Sequence, residues 1–457
     1  AGLVLILLLD AALLGGITMK PNKKLFASLC FFLPALAMAA GTQDWWKPYA
    51  DVNAGDTAWI MTSSALVLFM TVPGLALFYG GMVRKKNILS TMMHSFAITA
   101  LVSVLWAVAG YSLAFTPGNA FIGGLDRIFL NGMGVDAAKK MVTIAPNAAS
   151  IPETVFMFFQ MTFAIISTAI ITGAFAERMK FSAMMLFSGL WVLLVYVPTA
   201  HWVWGGGFLA ADGVFDYAGG TVVHINAGIA GLVSAIVIGK RVGFGKEAMP
   251  PHNMALTLVG AGMLWVGWFG FNAGSAVASN SAAGMAMAVT QIAAAVAALT
   301  WMLLETLAGH RPSALGLASG AVSGLVGITP AAGFVNPQGA LMIGILTAIA
   351  CYFSAVILKR KFGYDDTLDA FGIHGFGGIV GALLTGVLFS NQVFGGEATI
   401  GTQVMIQAKS ILVTVVYSGI LSFVILKVTG LVCGGLRVDK DVEREGLDLN
   451  IHGERVE

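Results

Sequence analysis

Asp216-Tyr-Ala-Gly-Gly-Thr-Val-Val-His224-Ile-Asn-Ala-Gly-Ile229 decides the reading of this chain. The stretch continues as Ala230-Gly-Leu-Val-Ser-Ala-Ile-Val-Ile-Gly239 and stops at Lys240-Arg241. An acid stands before a helix-length apolar run, two bases follow it, and a histidine lies inside. About 20 apolar residues suffice to cross the hydrocarbon core of a bilayer as a helix. An ionisable group at that depth is costly to bury and marks either function or a structural bond to a neighbour. For Asp216 the structural alternative is a helix cap. For His224 it is a hydrogen bond to an adjacent helix. A second stretch, Asp369-Ala-Phe-Gly-Ile-His374-Gly-Phe-Gly-Gly-Ile-Val-Gly-Ala-Leu-Leu, puts a histidine in a matching setting.

Composition extends this reading to the whole chain. Hydrophobic residues make up 57% and charged residues 11% of the 457 positions. Soluble domains carry about 25% charged residues. The chain therefore reads as an all-α polytopic membrane protein in a lipid bilayer, since its apolar runs have helix length and do not alternate as strands. A net charge of +2 gives no electrostatic footprint for nucleic acid. Cys30, Cys351 and Cys433 lie in or beside apolar runs, with no metal spacing and no disulfide framework. Nothing in the pattern calls for a cofactor.

Outward from the central stretch, eleven spans are expected near 57–80, 91–115, 154–176, 181–200, 219–239, 254–274, 283–306, 314–331, 339–358, 368–390 and 407–432. Residues 1–18 read as an upstream extension. Met19-Lys-Pro-Asn-Lys-Lys followed by an apolar core and Ala37-Met-Ala39 reads as a signal peptide over 19–39, the alternative being an uncleaved first helix. The basic clusters Arg84-Lys85-Lys86, Arg178 with Lys180, Lys240-Arg241 with Lys246, Arg311, and Lys359-Arg360-Lys361 fall in alternate loops. The positive-inside rule puts those loops and a tail at 437–457 in the cytoplasm, with the mature N-terminus outside. Five spans separate the helices of His224 and His374, so the two run in opposite directions. That is the signature of two inverted five-helix repeats, about 57–239 and 254–390, around a central pore, plus a final helix. Gly228, Gly231, Gly375, Gly377, Gly378 and Gly381 would let helices approach closely.

Two neutral histidines on neighbouring pore helices can share a proton, because each ring offers one donor and one acceptor. No Glu or Cys lies at helical spacing from either, and there is no H-E-x-x-H, so a metal-dependent hydrolase and enzymes in general are disfavoured. Aromatic residues gather at span ends on the opposite side from the basic loops. They are Trp202-Val-Trp204 before Gly205-Gly-Gly207, and Trp265-Val-Gly-Trp268-Phe-Gly-Phe271-Asn-Ala-Gly-Ser275, with Phe163 in the third span. Ring faces attract cations where water is excluded. The alternative is the aromatic belt common to membrane proteins.

From about residue 54 to 457 the chain resembles ammonium transporters of the Amt/Mep/Rh superfamily. The resemblance is carried by Asp216-Tyr-Ala-Gly-Gly-Thr-Val-Val-His224-Ile-Asn, Gly205-Gly-Gly207, Gly267-Trp-Phe-Gly-Phe-Asn-Ala-Gly-Ser275 and Phe371-Gly-Ile-His374-Gly. The tail Glu443-Arg-Glu-Gly-Leu-Asp-Leu-Asn-Ile-His-Gly453 adds to it. Trp204 and Ser275 place the likeness in the bacterial Amt branch. The resemblance implies a transport domain over 54–436. It implies ammonium recruitment by Phe163, Trp204 and Ser275 with Asp216 in support, a gate of Phe163 and Phe271, and a twin-histidine pore at His224 and His374. It also implies a homotrimer with one pore per subunit, a bacterial inner membrane location, and a PII-type nitrogen signalling protein as cytoplasmic partner. Two other readings stay open at this point: an ammonium sensor signalling through its tail, and a Rhesus-like channel for neutral gas.

Overall fold

A computed structural model describes residues 45–456; the extension at 1–18, the expected signal peptide at 19–39 and Cys30 lie outside them. Among the described residues, ten helices are long and apolar enough to cross a membrane. They are α1 Ala54–Met82, α2 Lys85–Phe115, α3 Glu153–Phe175, α4 Phe181–Ala211, α5 Gly220–Ile238, α6 Met254–Gly274, α7 Ser281–Leu307, α9 Pro337–Phe362, α10 Ala370–Leu388 and α11 Ile400–Val432. Between α7 and α9 lies the shorter apolar helix α8, Ala314–Ile328. At 1.5 Å per residue α8 is about 22 Å long, shorter than the hydrocarbon core, and a turn follows it. Each expected span thus has its helix.

Local chemistry sets the starts. The side chains of Asn53, Asn253, Asn280, Ser313 and Asn336 accept N–H bonds at the first turns of α1, α6, α7, α8 and α9. Several helices also contain π-helical turns, among them Met70–Leu75, which includes Pro73, and Gly220–Ile225 and Ala370–Gly375, which open α5 and α10. A π turn widens the helix by one residue and re-aims its side chains, often at a functional site.

α5 and α10 cross in close contact. A Cβ on Gly228 would fall 2.2 Å from the Gly375 nitrogen, so the two backbones touch. Gly378 sits against Ile225 and the Gly220 carbonyl. Gly231 meets Ala370 of α10 as well as Ala174, while Gly377 and Gly381 serve other contacts, against Cys351 and Gly327. The final helix α11 is tied on by a buried polar seam in which Ser410 bonds Thr221, Ser418 donates to the Asn226 carbonyl, and Trp191 donates to Ser422. Such bonds hold helices together where lipid offers no hydrophobic drive.

One departure from an all-helical reading lies before α3. The strands β1 Trp46–Pro48, β2 Val135–Asp136 and β3 Met141–Thr143 form a small antiparallel sheet in the order β1-β3-β2. It covers one end of the helices. The tail packs on the other end. Its short helix α12, Lys440–Glu445, buries Glu443, which pairs with Arg437 and accepts the Val242 N–H at 2.6 Å. Asp448 accepts the Leu89 and Ser90 N–H groups at 3.0 and 2.8 Å, satisfying donors at the start of α2.

Candidate functional site

Asp216 and its neighbours begin the site. Its carboxylate is 4% exposed and accepts four backbone N–H groups. Oδ1 takes Gly219 at 3.0 Å and Gly220 at 2.5 Å; Oδ2 takes Thr221 at 2.9 Å and Val222 at 3.1 Å. One side chain thus satisfies the four donors a helix start leaves open. Both oxygens are used, so Asp216 holds the start of α5 and offers little to a ligand. Gly219, at φ +112°, permits the entry turn. The Trp204 indole N–H donates to the Asp216 carbonyl at 2.9 Å, and Asn147 donates to the Trp204 carbonyl at 2.9 Å. Gln407 of α11 grips the preceding residue at both ends, accepting from the Phe215 N–H at 2.9 Å and donating to its carbonyl at 2.8 Å.

The second stretch repeats this arrangement with a different acid from the one the sequence singles out. Asp366, 150 positions after Asp216, accepts the Ala370 and Phe371 N–H groups at 3.1 and 2.8 Å and so caps α10. Asp369 stands in left-handed backbone at φ +58° and pairs with Lys359. The internal repeat is therefore Asp216 with Asp366 and His224 with His374, and both histidines sit in the opening π turn of their helix.

From Trp204 inward the rings form a column. Trp204 meets Phe163 edge-on at 5.8 Å, and Phe163 stacks on Phe271 at 4.2 Å with 23° between planes. Phe271 lies 5.9 Å from His224, and His224 lies 5.2 Å from His374. The two Nδ1 atoms of the histidines are 3.2 Å apart. His224 Nε2 lies 3.3 Å from the Thr329 hydroxyl, which accepts from Trp268 at 2.9 Å and donates to the Leu325 carbonyl at 2.7 Å. Thr329 has one hydrogen, and the shorter bond takes it, so towards His224 it can only accept. A neutral His224 then carries its hydrogen on Nε2, leaving Nδ1 to accept from His374 Nδ1–H. That order leaves His374 Nε2 as a free acceptor.

Cavities mark the two ends and the middle. On the Trp204 side a cavity of about 290 Å³ is lined by Trp204, Ser275, Phe163, Gln160, Asn147 and Tyr217 among others. Around the histidines only about 10 Å³ remains, walled by Leu75, Ile166, Ile170, Leu264 and Val322. That is close to the least space that holds a water. On the tail side about 390 Å³ opens beside His374, Asp369, Lys359 and Arg241. Beyond it Arg241 bridges Glu177 and Asp365 at 3.0 and 2.9 Å. Burial alone would raise the Glu177 carboxyl, but the Arg241 and Arg84 guanidiniums beside it hold it below the usual carboxylate range. Asp365 is likewise buried, and Arg241 holds it low.

The structure brings Phe163, Trp204, Asp216, His224, Phe271, Ser275 and His374 to this one axis. Trp202 and Trp265 lie off it: Trp202 donates to the Phe121 carbonyl at 2.8 Å and Trp265 to Gln291 at 3.0 Å. The glycines after Trp204 serve packing. Cβ atoms on Gly205 and Gly207 would strike the Ala114 carbonyl at 2.0 Å and Trp202 Cα at 2.6 Å, so they admit the chain's own 114–120 loop. Gln160, Tyr217, Asp366 and Gln407 join the axis or hold its walls without having been singled out in the sequence. The 150-residue offset applied to Asp216 would have found Asp366.

Fold and site together define a multi-pass helical membrane protein whose repeated halves meet at a buried histidine pair between two vestibules. The sequence model described as Ammonium Transporter Family matches residues 58–457, and the chain belongs to that family. An "Ammonium transporter" of Bacillus subtilis is 49% identical over 412 residues, covering 88% of this chain and 98% of that protein. The crystal structure of Candida albicans Mep2 aligns with a TM-score of 0.79 at 35% identity, covering 86% of this chain and 88% of that one. A structure titled "Sensor Amt Protein" aligns with a TM-score of 0.80 at 28% identity, covering 87% and 98%.

Proposed function

We propose that this chain carries ammonium into the cytoplasm of a bacterium by stripping a proton, passing ammonia and excluding other cations. The Trp204 side faces out and the tail side faces the cytoplasm, in keeping with the basic loops. Phe163, Trp204 and Ser275 recruit the cation; the Ser275 hydroxyl gives its hydrogen to the Phe271 carbonyl at 2.8 Å, leaving its lone pairs for an N–H donor. Phe163 and Phe271 form the gate, and at 4.2 Å their stacked rings leave no room for water between them. Asp216 acts by holding the start of α5.

The observation that carries this reading is the Nδ1–Nδ1 contact of His224 and His374 at 3.2 Å inside an apolar, near-closed channel. A bare monovalent ion moved into low dielectric faces an idealised Born cost on the order of 20 kcal/mol. Ammonium can avoid that cost by giving up its proton; potassium cannot. The bonded pair of rings gives a proton a relay, and the free His374 Nε2 gives ammonia a partner. The tail's docking onto α2 and the 240–242 loop supports a regulatory or sensing role beside transport, with a PII-type protein at the same face and a homotrimer as the assembly. Proteoliposomes exposed to an ammonium gradient and then an equal potassium gradient test the proposal. Ammonium should drive flux and potassium should not; equal flux of both cations would refute it.

A further inference from the structure

Four N–H groups of ammonium seek acceptors in a vestibule where Asp216 has none to spare. The carboxylate is committed to Gly219, Gly220, Thr221 and Val222. Trp204 uses its indole N–H on a carbonyl. Ser275 supplies one oxygen. Two further oxygens in the wall of the same cavity are buried and have no hydrogen-bond partner among the described residues: Gln160 Oε1 and the Tyr217 hydroxyl. A buried polar atom without a partner costs free energy, and each such atom in a native fold calls for a reason.

Both side chains are held in place. Gln160 lies on α3 three residues before Phe163, and therefore on the same face of the helix. It is 8% exposed. Tyr217 donates its backbone N–H to the Pro330 carbonyl at 3.1 Å and packs edge-on against Phe334 at 5.9 Å. Its ring lies so close to Gly333 that a Cβ there would fall 2.1 Å from it. Burial pushes the phenol up from its ordinary pKa, so it stays neutral and keeps lone pairs to offer.

We propose that Tyr217 and Gln160 are ammonium ligands, which with Ser275 replace the water shell of the cation above the Phe163–Phe271 stack. The inference rests on the recruitment reading and names its missing acceptors. The ring faces of Trp204 and Phe163 supply attraction without direction; the three oxygens supply direction and count N–H groups. Methylammonium has three N–H groups, but using all of them on these oxygens turns its methyl towards the ring faces, where ammonium places its fourth N–H. Tyr217 and Gln160 therefore set the preference for ammonium over its methyl derivative.

The test is the concentration dependence of transport current in proteoliposomes for the parent, Tyr217→Phe, Gln160→Met and Trp204→Ala, with ammonium and with methylammonium. Each loss of an oxygen should raise the half-saturating ammonium concentration about fivefold, with maximal current little changed. The rise should be smaller for methylammonium, so the preference narrows. An equal rise for both substrates would make the two side chains packing only and overturn the inference. So would unchanged half-saturation in both variants while Trp204→Ala is impaired, and the recruitment reading would then survive. If Trp204→Ala is unchanged as well, both fall. Tyr217→Phe removes one atom and decides alone if Gln160→Met does not assemble.

Discussion

Replacing Asp216 by Asn removes half of a helix cap, and the geometry sets the size of the effect. As a sequence, Asn is as good a cap as Asp. Here each carboxylate oxygen accepts two N–H groups. An amide keeps one oxygen and turns an NH₂ towards the other two donors, so two buried N–H groups are left facing a donor. At about 1–3 kcal/mol for each unpaired buried group, Asn costs at least about 2 kcal/mol and Ala at least about 4. Whole-protein stability is on the order of 5–15 kcal/mol. The thermal midpoint of the detergent-purified protein should therefore fall in the order parent, Asn, Ala, and flux should fall in the same order. The Trp204 indole goes with the loop, since it donates to the Asp216 carbonyl. An Asn variant that melts and transports like the parent would refute the reasoning, because it would show the second oxygen to be idle.

Gly228→Ala should prevent stable assembly, since the new methyl meets the Gly375 backbone at 2.2 Å, whereas Gly262→Ala, with nothing within 4 Å, should be neutral or slightly stabilising; thermal melting of the pair checks this. Deleting 437–457 should lower flux while leaving the membrane domain intact by size-exclusion chromatography, because Glu443 and Asp448 tie the tail to the 240–242 loop and to α2. Glu177 and Asp365 are both held below their ordinary values, so the stability they give is fully present above about pH 4 and lost only as pH falls through the lowered values. Limited proteolysis of the 240–242 loop, which the two acids hold through Arg241, should thus be unchanged from pH 8 to pH 5; loosening that begins between pH 7 and 6 would contradict this.

How far the sequence speaks depends on whether a residue's role shows along the chain or only across it. The spans were legible because hydropathy and length alone decide a bilayer crossing. His224 and His374 were legible because two ionisable residues at equal depth in similar runs are rare. Asp366 was not, since Asp369 lies nearer to His374 and nothing local says which acid reaches the open N–H groups. The β1–β3 sheet escaped because strands of two or three residues carry no period. Gln407, Gln160 and Tyr217 act on residues distant in sequence or on a shared cavity, and a single Gln or Tyr in an apolar run carries no mark of that. The glycines at 205–207 make room for the chain itself, which a triple glycine beside an aromatic residue does not reveal.

The central claim is that a proton leaves ammonium and travels by the bonded pair of His224 and His374. The most direct measurement is the ammonium-driven current of proteoliposomes carrying the His224→Leu, His374→Leu double variant, beside the parent at equal density. Leucine fills the same space and removes all four ring nitrogens. The account predicts current in the parent and none in the double variant, with neither passing potassium. Parent-like ammonium current through the double variant would contradict it and reduce the pair to a structural tie between α5 and α10.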